Sequence, residues 1–512
     1  MDSKSQLKAG VLLSYINLGI STLIPFLYTP IMLRMLGSAE YGLYSLSNSV
    51  ISYLSLLSFG FGGTIIRYIS MYRAKKDKKN LENTFGFFVL LYCGIAVVVM
   101  ICGIALSHNT ELIFNKGLSS QEIDKMKILM LIMAFNSALS FPISVFSSII
   151  VSYEKYIFRK MVDMVATVAA PISNLIMLYL GFASVGMAVT STIIQSVMLP
   201  LNIFYCLKIL KVKPRFVLLP KKVIKEMLGF SVFIFIGTIV DMLFWSTDKV
   251  ILGMLAGSTA VAVYNIGCTF NTMVTSLSTS ISGVLTPRIT SMVVTASSRE
   301  ELTELFIKVG RIQYIIVALI VSGFTVFGKA FVVLWAGESY LNSYYIALLT
   351  LIPLSVPLIQ NAGLSIVIAQ NKHKFRSIVY LIIAIVNVIS TYLLVPYMGG
   401  IGAALCSCIS YIIGQGIIMN IYYYKVVGLN IPLFWNNIGK MSIVPFSMIV
   451  IGKIIEKQVA FQSWGVLFIG IIVYSLVYIY LMYSVILNSY EKDILRKPIN
   501  GIREKVKEIL VK

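Results

Sequence analysis

Long, nearly unbroken apolar runs alternate with short polar connections along the whole chain. The runs fall near 9–31, 41–66, 84–106, 128–152, 161–180 and 185–207. Six more follow near 227–252, 261–286, 312–335, 344–369, 377–397 and 401–424, and a last pair near 438–455 and 464–487. Each approaches the ~20 apolar residues with which a helix crosses ~30 Å of hydrocarbon. None has the in-out alternation of about ten residues that marks a membrane β-barrel strand. The pattern predicts an all-α polytopic membrane protein of about fourteen transmembrane helices. The first run follows Lys4 and Lys8 but passes through Pro25 and Pro30. It exceeds the ~7–15-residue apolar core of a cleavable signal, so it reads as the first span.

Composition agrees. Of 512 residues, 58% are apolar and only 12% charged, with a mean hydropathy of +0.88. Soluble domains carry about 25% charge, so a multidomain soluble chain is excluded, as are disordered, collagen-like and disulfide-framework classes. The net charge of +21 could suggest nucleic acid, but the placement of the cations argues otherwise. With the N-terminus cytoplasmic, 34 of the 42 Lys and Arg fall on the cytoplasmic side, as the positive-inside rule requires. Both termini are then cytoplasmic. Anionic inner-leaflet lipid is the expected partner of Arg73, Lys75, Lys76, Lys78 and Lys79, and no nucleic acid is needed. In the tail, Ile502, Val506, Ile509 and Leu510 are spaced as one face of an amphipathic helix lying on that membrane face. The six cysteines lie in or beside apolar runs and read as buried thiols. His108 and His373 are far apart, and no metal or cofactor site is expected. Gly323–Ala330 nearly spells a P-loop but lacks the final Ser/Thr and falls inside the ninth run, so it predicts no ATP site.

The chain also repeats itself. Gly37-Ser38 with Tyr44 seven residues past the glycine matches Gly257-Ser258 with Tyr264. The second and eighth runs close at Arg67 and Arg288, and Gly186–Ser191 matches Gly402–Ser407. Matches at nearly one offset predict two six-helix lobes, 1–210 and 211–425. Two appended helices (426–487) and a basic cytoplasmic tail (488–512) follow. A parallel repeat implies a pseudo-two-fold axis along the membrane normal and a cleft between lobes, which is transporter architecture.

The segment Arg34-Met35-Leu36-Gly37-Ser38-Ala39-Glu40-Tyr41-Gly42-Leu43-Tyr44, the run into Asp248-Lys249-Val250-Ile251-Leu252-Gly253 and the fourteen-span plan carry a resemblance. The chain resembles the bacterial polysaccharide flippases of the multidrug/oligosaccharidyl-lipid/polysaccharide exporter superfamily. The resemblance implies a transporter, not an enzyme, in the bacterial plasma membrane. It implies movement of an undecaprenyl-pyrophosphate-linked oligosaccharide from inner to outer leaflet by alternating access, coupled to an ion gradient. A polysaccharide polymerase or assembly proteins are the implied protein partners. A peptidoglycan-precursor flippase and a drug or cation antiporter of related fold are the alternatives. A membrane polymerase is a poorer fit, because the longest outer connection, 107–127, is too short for a catalytic domain.

Such a substrate asks for cations and hydrogen-bonding groups. Arginine suits pyrophosphate because its planar fork makes two charged hydrogen bonds at once. Arg34 breaks the positive-inside rule within the family-like segment, and Arg67 and Arg288 close paired spans at the cytoplasmic mouth. All three are candidate substrate-binding residues. Pro353 and Pro357 precede Gln360-Asn361, which predicts a broken helix whose amides meet sugar hydroxyls. Asp241 and Asp248 are the acidic residues of the seventh run. At seven residues apart they would share a helix face, and they are the candidates for ion coupling.

Overall fold

The computed structural model describes residues 3–217, 219–294, 298–459 and 461–492, so the amphipathic tail lies outside the described residues. Among those residues every regular element is a helix. In order they are α1 (Ser3–Leu36), α2 (Ser38–Ser52), α3 (Phe61–Ala74), α4 (Lys78–His108), α5 (Thr110–Phe114), α6 (Ser120–Ser152), α7 (Tyr156–Tyr179), α8 (Ala183–Phe204) and α9 (Lys221–Trp245). Then come α10 (Thr247–Leu255), α11 (Ser258–Val294), α12 (Arg299–Ala336), α13 (Asn342–Ile359), α14 (Asn361–Ala369), α15 (His373–Tyr411), α16 (Met419–Tyr422), α17 (Ile431–Gln458) and α18 (Trp464–Leu481).

Local sequence explains many of the helix starts. Asp77 caps α4, accepting from the Asn80 backbone N–H at 3.1 Å, and that bond and a second from the Asn80 side chain hold its carboxyl below the usual range. Ser119 with Glu122 and Ser298 with Glu301 form capping boxes on α6 and α12.

Eleven helical stretches among the described residues are long and apolar enough to cross a membrane, or twelve if the bent pair 221–229 and 234–255 is one span. The expected fourteen is not reached by this count. One stretch, 373–427, runs to 55 residues and is broken at Gly399, which has φ 53° and ψ −135°. At ~1.5 Å per residue it is far longer than one crossing requires. Burial is that of a chain dissolved in lipid. Along α18, Leu467, Tyr474 and Tyr478 are buried, while Ile469, Ile472, Val473 and Leu476 are exposed. Wide exposed faces of Ile, Val and Leu recur on α4 and α15, and a soluble monomer would not carry apolar faces of that extent. The protein is a multi-pass, all-helical membrane protein.

The chain packs as two compact units: 1–265 with 384–403, and 266–383 with residues from 404 onward. In the first, α4 and α8 pack on α6, and α1 packs on α7. Edge-on ring pairs such as Phe85–Phe146 (5.5 Å) and Phe61–Phe88 (5.8 Å) join its helices. In the second, α12 is the central helix, contacting α13, α17 and α18 through pairs such as Phe306–Phe434 (4.6 Å) and Phe327–Tyr474 (5.5 Å). None of the six cysteines forms a disulfide; Cys206, Cys268 and Cys406 are buried as expected, whereas Cys93 is exposed on α4.

Candidate functional site

Asp248 is the most completely enclosed carboxylate of the first unit, with no exposed surface. Ser246 (φ −113°, ψ −32°) interrupts the helix between α9 and α10 and places Asp248 in the first turn of α10. The Tyr264 hydroxyl donates to one carboxylate oxygen at 2.5 Å, and the Thr391 hydroxyl to the other at 3.2 Å. Tyr264 and Thr391 are themselves buried. Beside them the Tyr53 and Thr247 hydroxyls bond to one another, and Ser52 and Ser246 lie 3.3 Å apart. An ionisable group within a membrane-crossing helix costs at least ~2.5–3.5 kcal/mol on insertion scales, so its retention asks for a role. A carboxylate ringed by hydroxyls can hold a proton or a small cation. The break at Ser246 also separates it from Asp241, which is exposed on α9. Both aspartates lie in the helical stretch 234–255, and of the two only Asp248 is enclosed.

The segment 34–44 is a joint between helices. Gly37 ends α1 in a positive-φ conformation (75°), which costs glycine least. Glu40 accepts from Lys125 at 2.7 Å, from the Ser184 backbone at 3.2 Å and from the Ser184 hydroxyl. The Tyr41 hydroxyl accepts from Asn265 at 2.6 Å. A Cβ on Gly42 would lie 1.8 Å from the Ser258 carbonyl oxygen, so only glycine lets α2 meet the start of α11. Gly257 has φ 88° and, like Gly37, is followed by a helix that opens on serine. Arg34 stands exposed in the last turn of α1, with no ion-pair partner among the described residues. Arg67 is exposed on α3.

In the second unit the helix does break where the prolines predict, at Gln360 (φ −99°, ψ 13°) between α13 and α14. The Gln360 amide donates to Asn420 at 2.8 Å, and Asn420 also accepts from Trp435 at 2.9 Å. Asn361 donates to Ser282 at 2.9 Å. Both amides thus tie helices together in this state. The Arg288 side chain lies outside the described residues. The predicted residues are therefore not gathered into one described site: Arg34, Arg67, Asp241 and Asp248 belong to the first unit, and Arg288, Gln360 and Asn361 to the second.

Sequence reasoning missed three polar features. Arg311 and Glu491 form a buried ion pair with contacts of 2.5 and 2.8 Å, supported by Asn437 at 3.2 Å. Arg311 falls among the cytoplasmic-side cations of the sequence pattern, and the separation of 180 residues hides its pairing with Glu491. A cleft of about 630 Å³ among α3, α6, α7 and α8 is lined by serines, Gln195 and the Arg159–Asp163 ion pair, together with apolar side chains such as Ile66, Ile143 and Met198. A smaller basic cleft of about 350 Å³ holds Arg73, Lys76, Lys78 and Lys211.

Comparison with known proteins fits this geometry. The chain is 21% identical over 498 residues to the uncharacterized membrane protein EpsK of Bacillus subtilis (strain 168), covering 93% of this chain and 95% of that protein. Its fold is similar to that of the lipid II flippase MurJ in an inward closed conformation, with a TM-score of 0.73 at 16% identity over 92% of this chain and 99% of that one. It is also similar to a MOP superfamily transporter from Pyrococcus furiosus, with a TM-score of 0.57 at 14% identity over 81% and 96% of the two chains. Residues 7–293, more than half of the chain, match the polysaccharide biosynthesis protein family, and the chain belongs to that family.

Proposed function

We propose that the protein is a flippase that carries an undecaprenyl-pyrophosphate-linked oligosaccharide from the inner to the outer leaflet of the bacterial plasma membrane. The observation that carries this reading is the extent of the fold likeness. A family of polysaccharide biosynthesis proteins here has, over 92% of the chain, a fold similar to that of a lipid II flippase. Transport proceeds by alternating access of two lobes, 1–210 and 211–425, each carrying an arginine, Arg67 or Arg288, towards the end of its second span. Taking 373–427 as two crossings and α11 as another brings the twelve spans to fourteen, with both termini cytoplasmic. An ion gradient supplies the work: one charge moved through 100 mV yields ~2.3 kcal/mol. Asp248 is the coupling residue, its hydroxyl donors able to reorient as a proton or cation arrives; exposed Asp241 is the second candidate. Arg67 and Arg288 receive the pyrophosphate at the cytoplasmic mouth, Arg34 contacts the substrate or the other lobe, and Gln360 and Asn361 meet the sugar once their interhelical bonds open. The cleft around Arg73 and Lys76 takes an anionic lipid headgroup, and a polymerase or assembly protein receives the product.

The test is leaflet sidedness in a strain lacking the gene, read with an impermeant sugar-modifying reagent. Accumulation of the lipid-linked unit in the inner leaflet is expected, with loss of surface polysaccharide. Normal sidedness and normal surface polysaccharide would contradict the reading. A peptidoglycan-precursor flippase is the second reading, favoured by the same fold likeness; it predicts arrested wall synthesis instead.

A further inference from the structure

The serine-lined cleft of the first unit has a chemistry that the proposed ion-coupling and pyrophosphate residues leave unused. On α6, Ser144 and Ser147 face it, and on α8 Ser191 and Gln195 do so. On α7, Arg159 and Asp163 reach it one turn apart, in contact at 2.9 Å. Ala166 and Ala170, on the same face of α7, leave the cavity open between the helices. Its volume of about 630 Å³ falls within the ~300–1,000 Å³ usual for small-ligand sites.

The available hydrogen-bonding groups narrow the ligand. The Ser144 hydroxyl donates to Phe141 O at 2.7 Å and the Ser191 hydroxyl to Met187 O at 3.0 Å, within their own helices. With its proton spent in this way, the Ser144 hydroxyl offers lone pairs as an acceptor, while the Ser191 hydroxyl also bonds to the Tyr44 side chain. Gln195 borders the cavity, and its carbonyl oxygen is buried with no hydrogen-bond partner among the described residues. Asp163 contributes carboxylate acceptors, and Arg159 keeps N–H donors beyond the one spent on Asp163. An i,i+4 ion pair alone is worth little on a helix surface. Here the pair lies in a hydroxyl-lined cleft between helices that are apolar enough to cross a membrane, where polar surface is costly without a ligand. The paired charges cancel, so the cleft offers no net cation to an acidic sugar. Its acceptors suit a ligand rich in O–H donors.

We infer that this cleft binds an uncharged, hydroxyl-rich sugar of the translocated unit, with Asp163, Gln195 and the serines accepting from sugar hydroxyls and Arg159 donating to a ring or hydroxyl oxygen. The inference rests on the flippase reading and adds to it the class of sugar and the place where it sits.

The test uses the full chain in lipid nanodiscs and three synthetic probes on one polyprenyl pyrophosphate: no sugar, a neutral disaccharide, and a disaccharide ending in a uronic acid. The neutral disaccharide should tighten binding by about tenfold or more over the bare lipid, and the acidic one by much less. Asp163→Asn with Gln195→Leu should erase that increment while leaving bare-lipid affinity unchanged. Ala166→Phe, which fills the cleft without removing a polar group, should do the same. Retained bare-lipid binding shows that each variant is folded. An increment that survives both variants, or equal gains from neutral and acidic sugars, would overturn the inference. If the bare lipid binds but sugar adds nothing, the cleft assignment falls alone. If no probe binds, the flippase reading falls with it.

Discussion

Replacing Asp248 separates its structural role from its proposed role in coupling. The carboxylate accepts from Tyr264 at 2.5 Å and Thr391 at 3.2 Å, and all three residues are buried. Asp248→Ala would take this acceptor from two buried hydroxyl donors. At about 1–3 kcal/mol for each orphaned group, the loss is roughly 2–6 kcal/mol, before any cavity cost. Asp248→Asn keeps an acceptor oxygen for one hydroxyl, and the other hydroxyl can rotate to accept from the new amide. Its cost should therefore be on the order of 1 kcal/mol or less. Heating the purified variants in detergent and following monodispersity should rank wild type close to Asn and both well above Ala. Transport driven by an imposed ion gradient should be lost in both, because the amide cannot take up or release a proton or neutralise a cation. Equal heat stability of the Asn and Ala variants would refute the hydrogen-bond arithmetic. Unchanged ion dependence in the folded Asn variant would refute coupling through Asp248.

Two further outcomes follow from the packing. Glu491→Ala should destabilise the second unit at the lower end of about 3–5 kcal/mol, because buried Arg311 loses its partner but borders a cleft that water can enter. Replacing both residues by Leu and Met should recover most of that stability in the same heating assay, and a double variant no better than the single would contradict the pairing argument. Gly42→Ala should cost at least about 1–3 kcal/mol by forcing α2 from the Ser258 backbone, whereas Gly62→Ala, with nothing within 4 Å of the added carbon, should be tolerated.

What could be read from sequence follows from physical range. Lipid solvation acts on every residue of a twenty-residue run, so the all-helical, multi-pass class was legible. So was the break at Gln360, because Pro353 and Pro357 are local signals. The interruption at Ser246 has no proline or glycine to announce it, and the packing that encloses Asp248 while leaving Asp241 exposed is invisible in the sequence. Asp248 could be singled out as a charge inside an apolar run. Its donors could not, since Thr391 lies 143 residues away. Arg159 and Asp163 sit at the edge of a run, where charges ordinarily anchor a helix at the interface. Only the packing of α6, α7 and α8 shows which way they face. The segment 34–44 was recognisable, but its reason was hidden: Gly42 answers to the backbone of Ser258, more than two hundred residues on.

The most direct measurement of the central proposal is flipping by the purified chain in vesicles. A polyprenyl-pyrophosphate oligosaccharide carrying a fluorophore on its sugar is distributed over both leaflets, an impermeant quencher is added outside, and an ion gradient is imposed. The proposal predicts that the protected inner-leaflet signal drains in vesicles holding the wild-type chain, and that Asp248→Asn abolishes the gradient dependence. A protected fraction as persistent as in protein-free vesicles, with folded protein and an intact gradient, would contradict it.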